Sequence, residues 1–208
     1  MYIPKLNAVT DAAVIDDFIR ANNFAIVVTA SPETSNGEPL ATHLPLELIT
    51  RADGLRLLVG HFARANPHWR AFAAGRPVLA IFAGPHAYIS PRWYERPEVP
   101  TWNYMTAHVY GQPRVIEDEG ELRASLSRLV RQHEGDSGYT LEGLPEKVTA
   151  QIHGVVGFEV TVSRMEAKFK LSQNRQPADY ASVIAHLQQR PDAQSHAVAA
   201  AMTALRRE

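Results

Sequence analysis

The 208-residue chain contains no cysteine, which excludes a disulfide framework, a thiolate zinc site and a cysteine-held iron–sulfur cluster. It also lacks an excess of charge of either sign: 21 Lys and Arg against 22 Asp and Glu leave a formal net charge of −1. A protein that grips nucleic acid by bulk charge carries a concentrated basic surface, so that class is disfavoured. No apolar run approaches the roughly 20 residues of a membrane-spanning helix. The opening residues MYIPKLNAVTDAA lack the basic, apolar and small-residue zones of a secretory signal, and the expectation is a cytoplasmic protein with no membrane attachment. The nine histidines show neither His-x-x-x-His nor Glu-x-x-His spacing, so no metal is expected. Nucleophile-elbow, Walker and dinucleotide-binding glycine patterns are absent as well.

What is present is a 45% hydrophobic composition, enough for one domain with a real core. Thr10 or Asp11 can cap a helix whose Val14, Ile15, Phe18 and Ile19 share a face. FAIVVTA (24–30) reads as a buried strand, and the turn-rich SPETSNGEP (31–39) returns the chain antiparallel. The next strand is expected over 40–49, with Leu40, Thr42, Leu44, Leu46 and Leu48 on one face. RADG turns into a strand over 55–59, and another follows over 77–83. The proline-rich stretch 84–100 reads as a long, rigid, aromatic loop, because Pro85, Pro91, Pro97 and Pro100 cannot all donate to a ladder. A strand over 102–110 has Met105, Ala107 and Val109 on one face and Trp102, Tyr104, Thr106, His108 and Tyr110 on the other.

Leu122, Leu126, Leu129 and Val130 predict an amphipathic helix over about 118–133. Between 155 and 171 the apolar alternation changes parity. Val156, Phe158, Val160 and Val162 are even, whereas Met165, Ala167, Phe169 and Leu171 are odd. A bulge or corner near Ser163-Arg164 would produce that switch. Two helices close the chain after Pro177. The repeated crossovers of a doubly wound sheet are missing. The expected class is mainly β with flanking helices (α+β), built as a closed or split β-barrel. The barrel is expected to span 1–176, with a helical appendage over 177–208.

Four segments concentrate polar and aromatic groups. GHFARANPHWRAF (60–72) lies between two apolar runs, and a helix beginning near Asn66-Pro67 would follow the capping rules. Its first N–H groups, with Arg64 and His61 nearby, would suit an anion; a capped helix with solvated charges is the plainer alternative. ATHLPLEL (41–48) puts Thr42 and His43 on opposite faces of an apolar strand, where each needs a partner or a ligand. VPTWNYM (99–105) places Trp102, Tyr104, Thr101 and Asn103 at a strand mouth, a wall for a flat ligand or simply core. KFKLSQNR (168–175) ends a strand with Lys168, Lys170, Ser172, Gln173, Asn174 and Arg175, suited to an anionic or amide-rich ligand or to solvent. Arg206-Arg207 forms a small cationic tip at the last helix.

Taken together, MYIPK, ATHLPL, GHFARANPHW, IFAGPHAYISPRWY, VPTWNY and KLSQNR resemble the PaiB-like family over about residues 1–190; the helix beyond Pro191 matches no motif. The resemblance implies an FMN-binding split barrel, usually a homodimer with flavin at the subunit interface, in a family known as negative transcriptional regulators. More distantly the chain resembles the pyridoxamine-phosphate oxidase type of barrel. On this resemblance His61, Arg64 and Asn66 receive the FMN phosphate, and Thr42, His43 and Leu44 run beside the ribityl chain and ring. Trp93, Thr101, Trp102 and Asn103 wall the ring, from the same or the other subunit, while Lys170, Ser172, Gln173 and Arg175 touch flavin or fix the dimer. Two functions follow: a flavin-holding regulator, or a flavin-dependent oxidoreductase using NAD(P)H. A structural role with a vestigial pocket is a third. An association with DNA is implied by the family name alone, and no DNA-reading element is visible in the sequence.

Overall fold

A computed structural model describes residues 1–32 and 37–206. Its strands are β1 (Ala8–Val9), β2 (Phe24–Ala30), β3 (Pro39–Pro45), β4 (Glu47–Thr50), β5 (Arg56–Ala63), β6 (Val78–Ile89), β7 (Thr101–Ile116) and β8 (Val155–Lys170). Its helices are α1 (Ala12–Ala21), α2 (Trp69–Ala73), α3 (Glu119–Glu134), α4 (Glu146–Thr149), α5 (Pro177–Gln188) and α6 (Ala193–Leu205). Hydrogen bonding orders the strands β3-β2-β6-β7-β8-β5-β4, with β1 added on β8. The pairings of β1 with β8, β2 with β3 and β6, and β5 with β4 and β8 are antiparallel. The expected class, an antiparallel split-barrel sheet with flanking helices, is the one observed.

The chain forms two compact units. One holds Ile19–Phe82 and Val109–Met165. Its core is a ring cluster in which Phe62, Phe72 and Phe158 stand 4.6 to 5.0 Å apart, centroid to centroid. Each ring is almost fully buried, worth roughly 1.5–3 kcal/mol apiece. Gly111 on β7 lets backbones meet, because a Cβ there would lie 2.3 Å from the Thr161 carbonyl oxygen. The other unit holds Met1–Phe18, Ala83–His108 and the residues from Glu166 onward. There Phe18 packs on Phe169 at 5.0 Å, and Tyr180, Val183, Leu187, Val198 and Met202 are buried.

Several local expectations hold. Asp11 caps α1, its side chain accepting from the Ala13 and Val14 amides at 2.8 and 3.4 Å. Two caps not singled out in the sequence are also present: Asp118 caps α3 by accepting from the Glu121 amide at 2.7 Å, and Asp192 caps α6 by accepting from the Ser195 amide at 2.8 Å. The parity switch in β8 is present: Val156, Phe158 and Val160 are buried, Ser163 and Arg164 are both exposed, then Ala167 and Phe169 are buried. The turn between β2 and β3 includes residues 33–36, outside the described residues.

Four boundaries require correction. The strand expected over 40–49 is two strands, because Pro45 has no N–H to continue a ladder; the Leu46 amide instead donates to the Asn23 carbonyl at 2.9 Å. β5 runs on to Ala63, so Gly60-His61-Phe62-Ala63 is strand rather than link. There His61 pairs with Gly157 and Phe62 with Val156. β6 continues to Ile89 through Pro85. Pro85 is tolerated since the pairing with β2 covers only Leu79 to Ile81, and the next amide, His86, donates to the Gln194 side chain at 3.2 Å. β7 extends beyond Tyr110 to Ile116.

Candidate functional site

The residues singled out above gather into two polar groups, one in each unit. The first is built on β2, β3 and the segment between β5 and α2. Asn66 does not cap a helix at residue 67. Its side-chain oxygen accepts from the His68 amide at 3.0 Å, closing a turn, and α2 starts only at Trp69 and is five residues long. An anion at this point would therefore rest on the Arg64 side chain and the turn amides rather than on a long helix end. The turn instead carries the His68 ring inward, where it is 2% exposed and lies against Phe62 and Phe72 at 5.2 and 5.8 Å.

Both ring nitrogens of His68 meet threonine hydroxyls: Nε2 lies 3.0 Å from Thr29 Oγ1 and Nδ1 lies 2.8 Å from Thr42 Oγ1. Burial lowers the pKa of His68. In the neutral ring one nitrogen donates and the other accepts, so each hydroxyl has a matching role. Asn66 Nδ2 also donates to Thr42 Oγ1 at 3.2 Å. Thr29, Thr42, Asn66 and His68 thus form a neutral, internally satisfied knot. His68 and Thr29 had no assigned role in the sequence. The signal was Thr29 itself, whose parity with the buried Ala25 and Val27 places a hydroxyl in the core, where it needs a partner.

Around the knot, Thr42 is half-buried, His43 is exposed and its ring stacks on Phe24 at 6.3 Å, and Leu44 is buried. Leu44 therefore reaches a ligand only through its backbone. β3 is the last strand in the sheet order, so alternate backbone groups on its outer edge remain for that purpose. His61 is half-buried and its pKa is lowered by burial. Arg64 is exposed, and its Nε and Nη2 donate to the carbonyls of His153 and Val155 at 2.8 and 3.0 Å. A guanidinium has five N–H donors, so donors remain for an anion. Arg64 also borders a cavity of about 340 Å³ with Trp69, Ile152 and Val156.

The second group closes the far end of β8. Lys170 Nζ donates to Thr101 Oγ1 and to the Trp102 carbonyl, both at 2.6 Å. Burial lowers its pKa, and the nearby cations Lys168 and Arg175 lower it further. Ser172 takes a left-handed conformation, φ 62°, and is held there by Asn103, whose Nδ2 lies 2.9 Å from Ser172 Oγ. Asn103 is fully buried, and its side chain secures this corner through Ser172. Gln173 accepts from the Leu171 amide at 2.7 Å and from Asn7 Nδ2 at 3.0 Å, and donates to the Phe169 carbonyl. Arg175 pairs with Glu98 and lies over the Tyr94 ring at 4.5 Å. Trp102 is 51% exposed beside His86 and Tyr88. Trp93 stands apart from it, stacked on His186 at 5.1 Å.

Residues 1–164 match the family described as "Putative FMN-binding domain". The chain is also 44% identical over 191 residues to the protease synthase and sporulation protein PAI 2 of Bacillus subtilis, covering 90% of this chain and 89% of that protein. The chain belongs to the PaiB-like FMN-binding family. The PaiB-like fold is shared with more distant solved structures. The flavocytochrome Anf3 of Azotobacter vinelandii superposes with a TM-score of 0.63 at 15% identity, covering 86% of this chain and 78% of that one. The FAD and heme binding protein of Mycobacterium smegmatis gives 0.62 at 16% identity, with 85% and 80% covered. At such identities the likeness is one of fold. Among the described residues, no His, Cys, Asp or Glu cluster could hold a metal ion, and no helix is long and apolar enough to cross a membrane.

Proposed function

We propose that this PaiB-like protein holds FMN as a ligand in a cytoplasmic homodimer and acts as a regulator, with the flavin sensed rather than turned over. FMN is the cofactor of the family to which the chain belongs. The donor set around Arg64 fits its phosphate, since an exposed guanidinium with N–H groups left over makes charge-assisted bonds to phosphate oxygens. His61 and Asn66, close to Arg64 along the chain, are the further donors assigned to that end, while Thr42, His43 and the outer backbone of β3 suit the ribityl hydroxyls. When bound, FMN supplies a ring able to take up electrons.

The observation that carries the regulatory reading is the closure of the knot. His68 is buried, its pKa is lowered by burial and both its nitrogens are engaged by threonine hydroxyls, so it is committed to the fold rather than held out as an acid for a bound ring. A regulatory role also accords with the name of the Bacillus relative, which concerns protease synthesis and sporulation. The exposed aromatics Tyr88 and Trp102 support a second copy of the chain as partner, because contiguous apolar surface tends to mark contact sites. The test is reconstitution with FMN, followed by anaerobic addition of NADH or NADPH. One flavin per subunit, a dimer by light scattering and a yellow colour that persists are expected. Rapid bleaching by either nucleotide would make the protein an oxidoreductase and end the regulatory reading.

A further inference from the structure

We propose that the pocket at the end of β8, bordered by Lys170, Arg175, Asn174, Thr101 and Asn7, binds a compact oxyanion other than the flavin's phosphate: a phosphate ion or the carboxylate of a small organic acid. The pocket has a volume of about 290 Å³, and no acidic side chain lines it. Besides its two cations the lining holds only neutral hydroxyl and amide groups and apolar side chains such as Leu6 and Val99, and the one counter-charge, Glu98 on Arg175, lies in the adjoining cavity. The adjoining cavity differs: Glu95, Glu98 and Asp179 there face Arg96 and Arg175, a balance that repels an anion.

Lys170 is the centre of the argument. An ammonium has three donors, and two of them point to neutral oxygens, Thr101 Oγ1 and the Trp102 carbonyl. Among the described residues it forms no ion pair with a carboxylate, whereas Arg175 has Glu98 and the N-terminal amine has Glu166. Its charged neighbours are Lys168 and Arg175. A half-buried cation beside two others gains most from an opposite charge, and the pocket leaves room for one. The corner is also held in advance. Ser172 is fixed at φ 62° by the buried Asn103, the kind of local strain that persists where surrounding contacts over-determine it. Pre-organisation of that sort lowers the cost of binding. The apolar part of the wall suits the hydrocarbon body of an organic acid.

The test uses the purified full-length, flavin-loaded protein. Inorganic phosphate and acetate are titrated separately by calorimetry at constant ionic strength set with sodium chloride, into wild type, Lys170→Gln, Lys170→Arg and Asn174→Ala. At least one anion is expected to saturate at one site per chain, and which one does so identifies the source. Lys170→Gln should weaken that binding about ten- to a hundredfold, as loss of a charged hydrogen-bond partner does, and Lys170→Arg should restore most of it. Asn174→Ala, an exposed rim change, should weaken it severalfold and stands in should Lys170→Gln fail to fold. Absence of saturable binding by either anion, or equal binding by wild type and both weakened variants, would overturn the proposal. So would a Lys170→Gln protein that loses affinity for FMN but not for riboflavin, because the pocket would then be the flavin's own phosphate site. Flavin content, read from absorbance, reports separately on FMN binding.

Discussion

The knot around His68 and the corner around Lys170 are both dense in hydrogen-bonding side chains, yet they are opposite in character. In the knot every named polar group finds a neutral partner and the centre is 2% exposed. In the corner a cation is held by neutral oxygens with other cations beside it. The first arrangement stabilises the fold by satisfying buried groups. The second leaves charge uncompensated, which a ligand can relieve. Density of donors in a sequence does not separate the two; what separates them is whether the charges cancel.

The largest expected contrast comes from removing each centre. His68→Leu strands the buried Thr29 hydroxyl away from water and takes one of two partners from the half-buried Thr42, at roughly 1–3 kcal/mol for a group left unsatisfied and less for one that keeps a partner, so a total loss of about 2–4 kcal/mol is expected in urea unfolding. Lys170→Met removes two hydrogen bonds but also a repelled charge, and should change stability by no more than about 1 kcal/mol in either direction. Equal losses in the two variants would erase the distinction drawn between the regions.

A smaller effect tests the strained turn. Ser172→Ala keeps the unfavourable φ and leaves the buried Asn103 side chain with only the weak Met202 sulfur acceptor, costing about 1–3 kcal/mol. Ser172→Gly loses the same partner but relieves the backbone, so it should be the more stable of the two by about 1 kcal/mol. The reverse order in thermal unfolding would show that the hydroxyl does not hold the turn.

The smallest effect is in pH. Burial lowers the folded-state pKa of His68 and His61 below 6.5. As pH falls through about 6.5 the unfolded chain takes up protons that the folded chain refuses, so stability declines on acidification until the folded groups protonate. Urea midpoints between about pH 7.5 and pH 5.5 should fall in wild type and fall less in His68→Gln. An unchanged slope would mean that His68 does not fold as the neutral form.

Much of the fold was legible because it rests on local chemistry. Asp11 marks the start of α1, strand β2 matches the apolar run FAIVVTA, and the change of parity at Ser163-Arg164 is written in the order of apolar residues. The misread boundaries share a different cause. Whether Pro45 ends a strand and Pro85 does not depends on which edge is paired at each point, and pairing is set by distant residues. The site was legible as a set of segments but not as a set of roles. Asn66 reads as a helix cap, yet it closes a turn that delivers His68 to Thr29 and Thr42, residues on two other strands. Asn103 reads as part of a ligand wall, yet it is buried against Ser172. Neither outcome follows from spacing along the chain.

Arg64 is assigned to the phosphate end of the flavin, and Lys170 to another anion. Calorimetric titration of FMN and of riboflavin into wild type, Arg64→Ala and Lys170→Gln tests it most directly. Arg64→Ala is expected to weaken FMN about ten- to a hundredfold more than riboflavin, and Lys170→Gln to leave the ratio of the two affinities unchanged. Equal weakening of both flavins by Arg64→Ala, or a selective loss of FMN in Lys170→Gln, would contradict it.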